Sequence, residues 1–159
     1  MKSIVIFYSY GGNTRQVAEK IAAVIGADTV EIETVKPYSG SYDHVVAQGK
    51  EEVNSGFQPE LKPIDIDLSM YDTVILGTPV WWYTFSPAMN TFLHREDLVG
   101  KSVYPFATNG GWIGHTFKDF EDACPDSVVY AGLNVRFNEK RQLTDDEEIQ
   151  KWAKRIAKS

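Results

Sequence analysis

Hydrophobic residues along the chain follow two spacings, one typical of buried strands and the other of amphipathic helices. Residues 3–8 (SIVIFY) form a short β-branched and aromatic run, and apolar residues then recur at helical spacing from Val17 to Ile25. Gly26 ends this predicted helix, and residues 29–32 predict a second strand. A strand, a helix and a strand in this order are typical of a parallel sheet.

The rest of the chain repeats this alternation. Residues 71–77, 102–108 and 127–133 predict three more strands, the first of them breaking at Thr78-Pro79. Helices are predicted over residues 42–53, from the Ser86-Pro87 cap, from Thr116, and from a capping box made by Thr144 and Glu147, while residues 58–70 read as an irregular connection. We therefore expect residues 1–159 to form one three-layer, doubly wound α/β domain around a five-stranded parallel sheet.

Composition excludes several classes of protein. The net charge of −6 and the pI of about 5.0 argue against nucleic acid as a partner, because the chain has no segment in which lysine and arginine are concentrated. The first eight residues fit a strand rather than a signal peptide, and no apolar run approaches the roughly 20 residues of a membrane helix. Cys124 has no second cysteine to pair with, so we expect a cytoplasmic protein.

Three unusual loops follow predicted strands. They are residues 9–14, 78–85 and 109–115, called here the first, second and third loop. Ligands of doubly wound sheets bind beyond the carboxyl ends of the strands. All three loops are expected at that edge, which is therefore the candidate functional site.

The first loop leads into a predicted helix start, where unpaired backbone N–H groups and the helix dipole favour an anion. Gly11 and Gly12 allow a tight turn, while Ser9, Asn13 and Thr14 add hydroxyl and amide groups. It contains no lysine or arginine and matches neither G-x-x-x-x-G-K nor G-x-G-x-x-G. We interpret it as a neutral phosphate-binding turn; the alternative is an ordinary strand-to-helix connection.

The second and third loops are suited to a flat ligand. Trp81, Trp82, Tyr83 and Phe85 follow the buried strand directly, and such rings stack on planar heterocycles. The three glycines of N-G-G-W-I-G in the third loop leave backbone groups open to a ligand edge. The alternatives are that the rings cover the core or form a dimer contact, and that the third loop is a flexible surface segment.

The motifs S-Y-G-G-N-T, Y-D-T-V-I-L-G-T-P-V-W-W and P-F-A-T-N-G-G, in this order, resemble the flavodoxin family over essentially the whole chain. The resemblance implies the strand order 2-1-3-4-5 and a bound FMN. It implies that the FMN phosphate is held by Ser9, Tyr10, Gly11, Gly12, Asn13 and Thr14. It places the isoalloxazine ring between two groups of residues: Thr78, Pro79, Val80, Trp81, Trp82 and Tyr83, and Thr108, Asn109, Gly110, Gly111 and Gly114.

The chain departs from the family pattern in two places. The family usually has Ser or Thr where this chain has Gly11, so one hydroxyl contact to the phosphate must come from backbone or water. The family also often carries acidic residues around its flavin, whereas residues 78–95 and 101–118 contain none. His115, at the end of the third loop, is a candidate for contact with the flavin or a substrate.

Other chemistries fit the sequence poorly. A response-regulator receiver needs acidic residues where this chain has Ser9 and Thr78, and Cys124 lies far from the phosphate loop that a cysteine phosphatase would need. The three histidines, of which His44 and His94 are expected at the surface, lack ligand spacing for a metal.

Three functions remain open on the sequence. One is an electron carrier that serves a redox partner protein, and a second is an FMN enzyme that passes hydride from NAD(P)H to a planar acceptor such as a quinone. The third is an FMN-binding regulatory partner without turnover. The aromatic cluster is also compatible with a homodimer face.

Overall fold

The computed structural model describes residues 2–158, which form eight strands and five α-helices. The elements in chain order are β1 (Ser3–Tyr8), α1 (Asn13–Ile25), β2 (Asp28–Ile32), α2 (Tyr42–Ser55), β3 (Thr73–Trp81), β4 (Thr84–Phe85), α3 (Pro87–Arg95), β5 (Ser102–Asn109), α4 (Thr116–Ala123), β6 (Val128–Val129), β7 (Leu133–Asn138), β8 (Arg141–Gln142) and α5 (Asp146–Lys158). A short 3-10 helix at Leu68–Met70 lies in the predicted irregular connection.

The five long strands are parallel and lie in the order β2-β1-β3-β5-β7. This is the predicted 2-1-3-4-5 order of a flavodoxin-like α/β fold. Three shorter strands bring the sheet to eight: β4 and β8 pair antiparallel with β3 and β7, and β6 pairs parallel with β5. β1, β3 and β5 are adjacent at the centre, so the three loops leave neighbouring strands.

Both faces of the central strands are buried, which explains their continuous apolar runs. In β1, Ile4 and Ile6 pack into the core on one face, whereas Val5 and Phe7 pack into the core on the other. Helices α3 and α4 cover the first face, and α1 and α5 cover the second. The sheet is therefore a rigid platform for the loops at its edge.

Two predicted helix boundaries are confirmed by their local chemistry. The Ser86 hydroxyl accepts a hydrogen bond from the Met89 N–H at 3.3 Å, and Pro87 begins α3. Gly26 ends α1 with a φ of +67°, a backbone conformation that glycine adopts without strain.

The predicted break of the third long strand at Thr78-Pro79 is wrong, because β3 continues to Trp81. β1 pairs with β3 only as far as Gly77, while β5 pairs with it as far as Pro79. Proline lacks the N–H of an inner ladder, but here one neighbouring strand has already ended, so Pro79 is tolerated. Much of the second loop is therefore strand.

The predicted fifth strand at residues 127–133 is also misplaced. The short β6 covers two residues of it, and the long parallel strand is β7, Leu133–Asn138. Leu133, Val135 and Phe137 are buried and the residues between them are exposed. Only one face of this strand is covered, so its sequence alternates and lacks a continuous apolar run.

The predicted capping box at Thr144 and Glu147 does not form. Asp145 caps α5 instead, because its carboxylate accepts a hydrogen bond from the Glu148 N–H at 3.0 Å. The Thr144 hydroxyl accepts a hydrogen bond from the Arg136 N–H at 2.8 Å and so fixes the chain to β7.

Candidate functional site

The first loop forms a tight turn that leads directly into α1. Gly11 and Gly12 have φ values of +86° and +102°, and α1 starts at the next residue. The Ser9 hydroxyl accepts a hydrogen bond from the Arg15 N–H at 3.2 Å. Within residues 2–158 no group accepts a hydrogen bond from the N–H of Asn13 or Thr14. The start of α1 therefore leaves these two backbone N–H groups without a partner in the described part of the chain.

Thr14 is buried, and its hydroxyl lies 2.8 Å from the hydroxyl of Thr108. Because Thr108 stands at the end of β5, this hydrogen bond fastens the first turn of α1 to the start of the third loop. Two residues predicted from separate motifs are therefore in direct contact.

A second segment, the turn between β7 and β8, contacts the first loop and was not predicted from the sequence. The Asn13 side-chain amide donates to the Glu139 carbonyl at 2.7 Å, and the Lys140 ammonium donates to the Gly11 carbonyl. The first loop itself has no basic residue, as expected, but the fold places a cation against it. No local signal identifies Lys140, which lies 129 residues along the chain from Gly11.

The second loop is a tight hairpin between β3 and β4. Trp82 and Tyr83 form its two-residue turn with φ values of +50° and +73°, directly after the last strand pair, Trp81↔Thr84. Positive φ is unfavourable for large side chains and is found where surrounding contacts impose it. The hairpin is therefore a strained element at the candidate site.

Contacts on both sides hold this turn. The Trp82 indole N–H donates to the Val46 carbonyl of α2 at 2.9 Å, and the Lys50 ammonium lies 5.2 Å from the centre of the Trp82 ring. On the other side, the His115 N–H donates to the Tyr83 carbonyl at 2.8 Å. The second loop is thus clamped between α2 and the third loop.

Thr78 lies beneath the turn and points inward. It is fully buried, and its hydroxyl donates to the Pro79 carbonyl at 2.8 Å while accepting from the Ser86 N–H at 2.9 Å. Thr78 was predicted to contact the flavin ring, and in the structure its buried hydroxyl stabilises the second loop from inside.

Trp81 belongs to an aromatic cluster beside the first loop. Its ring packs edge-on against Tyr8, Tyr10 and Tyr38, at centroid distances of 6.0, 5.9 and 4.9 Å. The Tyr38 hydroxyl donates to Glu52 at 2.6 Å, and burial together with this hydrogen bond raises the pKa of the Tyr38 phenol. Tyr38 therefore remains a protonated donor.

A cavity of about 310 Å³ opens between α2 and the first two loops. It is lined by Tyr10, Tyr42, Val45, Val46, Gly49, Val80, Trp81 and Trp82. This volume is at the lower end of the range for small-molecule sites, and the lining is largely apolar with aromatic rings. On the far side of the hairpin, Tyr83 and Trp112 are exposed and contact each other at a centroid distance of 5.9 Å.

The third loop is organised by Asn109. Its side-chain oxygen accepts from the Gly111 N–H at 2.9 Å, and its amide donates to the Asn134 side chain at 2.6 Å. A Cβ on Gly111 would lie 3.3 Å from the Arg136 guanidinium. A second basic residue, Arg136 of β7, is thus adjacent to the candidate site.

Gly114 permits the close approach of the second and third loops. A Cβ there would lie 2.3 Å from the Tyr83 carbonyl oxygen, and the φ of Gly114 is +59°. Any larger side chain would force the two loops apart. The absence of a side chain at Gly114 therefore allows the third loop to pack directly on the backbone of the second loop.

Asp119 links the same two loops and was not predicted, because it directly follows residues 101–118, which contain no acid. Its carboxylate accepts from the Thr84 hydroxyl at 2.5 Å and contacts Nδ1 of His115. His115, the candidate for flavin or substrate contact, is thus fixed at the end of the third loop by an acidic partner in α4. The edge of the sheet that carries the three loops therefore does contain a carboxylate, although residues 78–95 and 101–118 have none.

The remaining candidates give no second site. His44 and His94 are exposed, and burial raises the pKa of the Cys124 thiol at the end of α4. Within residues 2–158 no cluster of His, Cys, Asp or Glu could hold a metal ion. None of the helices in that range combines the length and apolarity needed to cross a membrane.

Comparison with known proteins points in one direction. A family model described as Flavodoxin matches residues 2–156. The chain is 30% identical to a candidate flavoprotein from Bacteroides eggerthii DSM 20697, with 98% of each chain covered and a TM-score of 0.84. None of the curated proteins matches the sequence.

Two further solved structures are similar in fold. A flavoprotein from Lactobacillus acidophilus NCFM, solved in complex with FMN, is 22% identical, with 96% of this chain and 98% of that chain covered and a TM-score of 0.77. Oxidised flavodoxin 2 from Bacillus cereus is 20% identical, with 99% of each chain covered and a TM-score of 0.63. Their architecture is that of the sheet and helices described above.

Proposed function

The chain belongs to the flavodoxin family, and from that premise we propose that it binds FMN and transfers electrons through the bound flavin. The observation that carries the proposal is the glycine turn of the first loop, with the unpaired N–H groups of Asn13 and Thr14 at the start of α1. This turn suits a terminal phosphate monoester. The FMN complex of the similar Lactobacillus acidophilus protein supports the same cofactor.

The residues at the sheet edge fit the two ends of FMN. Residues 9–14 would hold the phosphate, and the second and third loops would hold the flavin ring. Trp81, Trp82 and Tyr83 offer flat apolar surface, while Gly110 and Gly111 have no side chain that would cover the backbone of the third loop. When bound, FMN would supply one- and two-electron redox chemistry, and the protein's share is to position the ring and restrict water around it.

We expect the purified protein to carry FMN and not FAD, because the first loop accommodates one terminal phosphate and no second motif serves an adenosine half. The cofactor released by denaturation is identified by mass spectrometry. If the protein is isolated without flavin, it is titrated with FMN, FAD and riboflavin. Recovery of FAD, or no binding at excess FMN, would contradict the proposal.

A second function, hydride transfer from NAD(P)H to a planar acceptor such as a quinone, is favoured by the cavity of about 310 Å³ beside Trp81 and Trp82. An electron carrier needs only an accessible flavin edge, whereas an enzyme needs space for a second molecule. Stopped-flow reduction of the loaded protein by NADH and NADPH separates the two. Rapid reduction would indicate an enzyme, and slow reduction would favour a carrier or a regulatory partner.

A further inference from the structure

The turn between β7 and β8 lies directly against the first loop. Phe137 pairs with Gln142 and Asn138 with Arg141, which leaves Glu139 and Lys140 as the two turn residues. Glu139 has a φ of +54°. The turn therefore has a defined backbone conformation, in which the Lys140 side chain extends to Gly11 of the first loop.

Two hydrogen bonds hold the hairpin on α1. The Asn13 side-chain amide donates to the Glu139 carbonyl at 2.7 Å, and the Lys20 ammonium donates to the Gln142 side chain at 2.8 Å. One contact is at the first residue of α1 and the other is two turns further on. The position of Lys140 beside the helix start is thus built into the fold.

The Lys140 ammonium occupies the space that a side chain at residue 11 would need. It donates to the Gly11 carbonyl, and a Cβ on Gly11 would lie 3.0 Å from Nζ. Of the three N–H donors of an ammonium group, this hydrogen bond uses one. Two donors remain for a ligand at the turn.

Lys140 is also free of a competing acid. No carboxylate of residues 2–158 lies within ion-pair distance of its Nζ. Arg15, which directly follows the first loop in sequence, instead donates two hydrogen bonds to Glu31, at 3.0 and 2.7 Å. The positive charge at the amino end of α1 therefore comes from Lys140.

We propose that Lys140 is a phosphate-binding residue, which the β7–β8 turn delivers to a first loop that has no charge of its own. The inference rests on the proposed function, in which that loop holds the terminal phosphate of FMN. Backbone N–H groups of α1 then provide the shape of the site, and the ammonium provides its charge. A dianionic phosphate gains from both.

The test compares the dissociation constants of FMN and riboflavin, measured by quenching of flavin fluorescence, in the wild type and in Lys140→Gln. Because charge-assisted hydrogen bonds are strong but Lys140 is exposed, we expect FMN binding to weaken by about tenfold at low salt. Riboflavin lacks the phosphate, so its binding should not change. Unchanged riboflavin binding also shows that the variant is folded.

Three controls define the effect. Lys140→Arg keeps the charge and should retain most of the preference for FMN, whereas Lys154→Gln, an exposed change on α5, alters net charge equally and should have no effect. FMN binding to the wild type should weaken more with added salt than FMN binding to Lys140→Gln, since salt screens exposed charge.

Two results would overturn the inference, and they are distinguishable. If the wild type prefers FMN over riboflavin and Lys140→Gln keeps the whole preference, Lys140 does not bind phosphate but the FMN site stands. If the wild type binds both ligands equally, the first loop is not a phosphate site, and the proposed function fails together with the role of Lys140.

Discussion

Thr14 shows how a single side chain serves both the fold and the proposed phosphate site. Its hydroxyl is 2.8 Å from that of Thr108, in a buried position at the start of α1. A threonine hydroxyl donates once and accepts up to twice, so it can bond Thr108 and still face an anion. The same atom therefore joins α1 to β5 and remains available to a ligand.

We expect Thr14→Ala to weaken FMN binding by about 1 to 3 kcal/mol and to leave riboflavin binding nearly unchanged. Fluorescence titration of both flavins gives the two values. Thr108→Val provides the control, because it removes the same buried hydrogen bond from the other side. Equal weakening of both flavins by Thr14→Ala would mean that the change damages the fold or that the phosphate lies elsewhere.

At this scale, the sequence predicts what is local. Gly11 and Gly12 before a helical pattern indicate a tight turn, because their conformational freedom and the helix start are encoded in neighbouring residues. Lys140 and Asp119 reach the site through β7 and α4, and their contacts depend on the path of the whole chain. No spacing within a motif carries that information.

At the level of elements, the hairpin between β3 and β4 was not predicted, because the second loop has no sequence signal for a tight turn. Two-residue hairpin turns with positive φ are recognised by sequences such as Asn-Gly, whereas this turn is made by Trp82 and Tyr83. Tertiary contacts impose the conformation: Val46 holds Trp82, and His115 holds Tyr83. A turn stabilised from outside has no local signature.

Asp119 couples the second and third loops, since Thr84 and His115 both contact its carboxylate. We expect Asp119→Ala to weaken the binding of FMN and riboflavin alike, by about 1 to 2 kcal/mol, because hydrogen bonds to a partly exposed carboxylate are lost. This pattern differs from that of Thr14→Ala, which affects the phosphate alone.

The matched control for Asp119 is Asp122→Ala. This variant removes, from the same helix, an acid whose ion-pair partner within residues 2–158 is Lys118. It should leave both flavins bound as in the wild type. A selective loss of FMN in Asp119→Ala, or an equal effect of Asp122→Ala, would show that Asp119 does not act by holding the ring-binding loops.

The architecture of the whole molecule was the most predictable level. Central strands buried on both faces give continuous apolar runs, and the alternation of strands and helices restricts the topology to a few arrangements. The edge strand β7 was misplaced because its open face is polar. This error also concealed Arg136 and Lys140, which enter the site from β7 and the turn that follows it.

Charge across the whole edge of the sheet bears on the reduction potential of the proposed flavin. The second and third loops carry no acidic residue, and Arg136 packs against Gly111. Asp119 is the nearby exception, and it contacts His115. We therefore expect the fully reduced, anionic flavin to form at a less negative potential than in flavodoxins whose flavin sites are lined by acids.

The variant Asn109→Asp tests this expectation, because it adds one carboxylate to the third loop and keeps an acceptor for the Gly111 N–H. At about 10 Å and an effective dielectric constant of about 20, a like charge costs roughly 1.7 kcal/mol, or about 70 mV for one electron. Arg136 faces residue 109 across the β5–β7 pairing and offsets part of this charge effect, so we expect the potential to fall by some tens of millivolts.

Asn109→Ser is the neutral control, since it also loses the hydrogen bond to Asn134. Spectroelectrochemical titration at low salt, above the pKa of the new carboxyl, measures the potentials. Equal potentials in the two variants with FMN bound would show that charge in the third loop does not control the flavin.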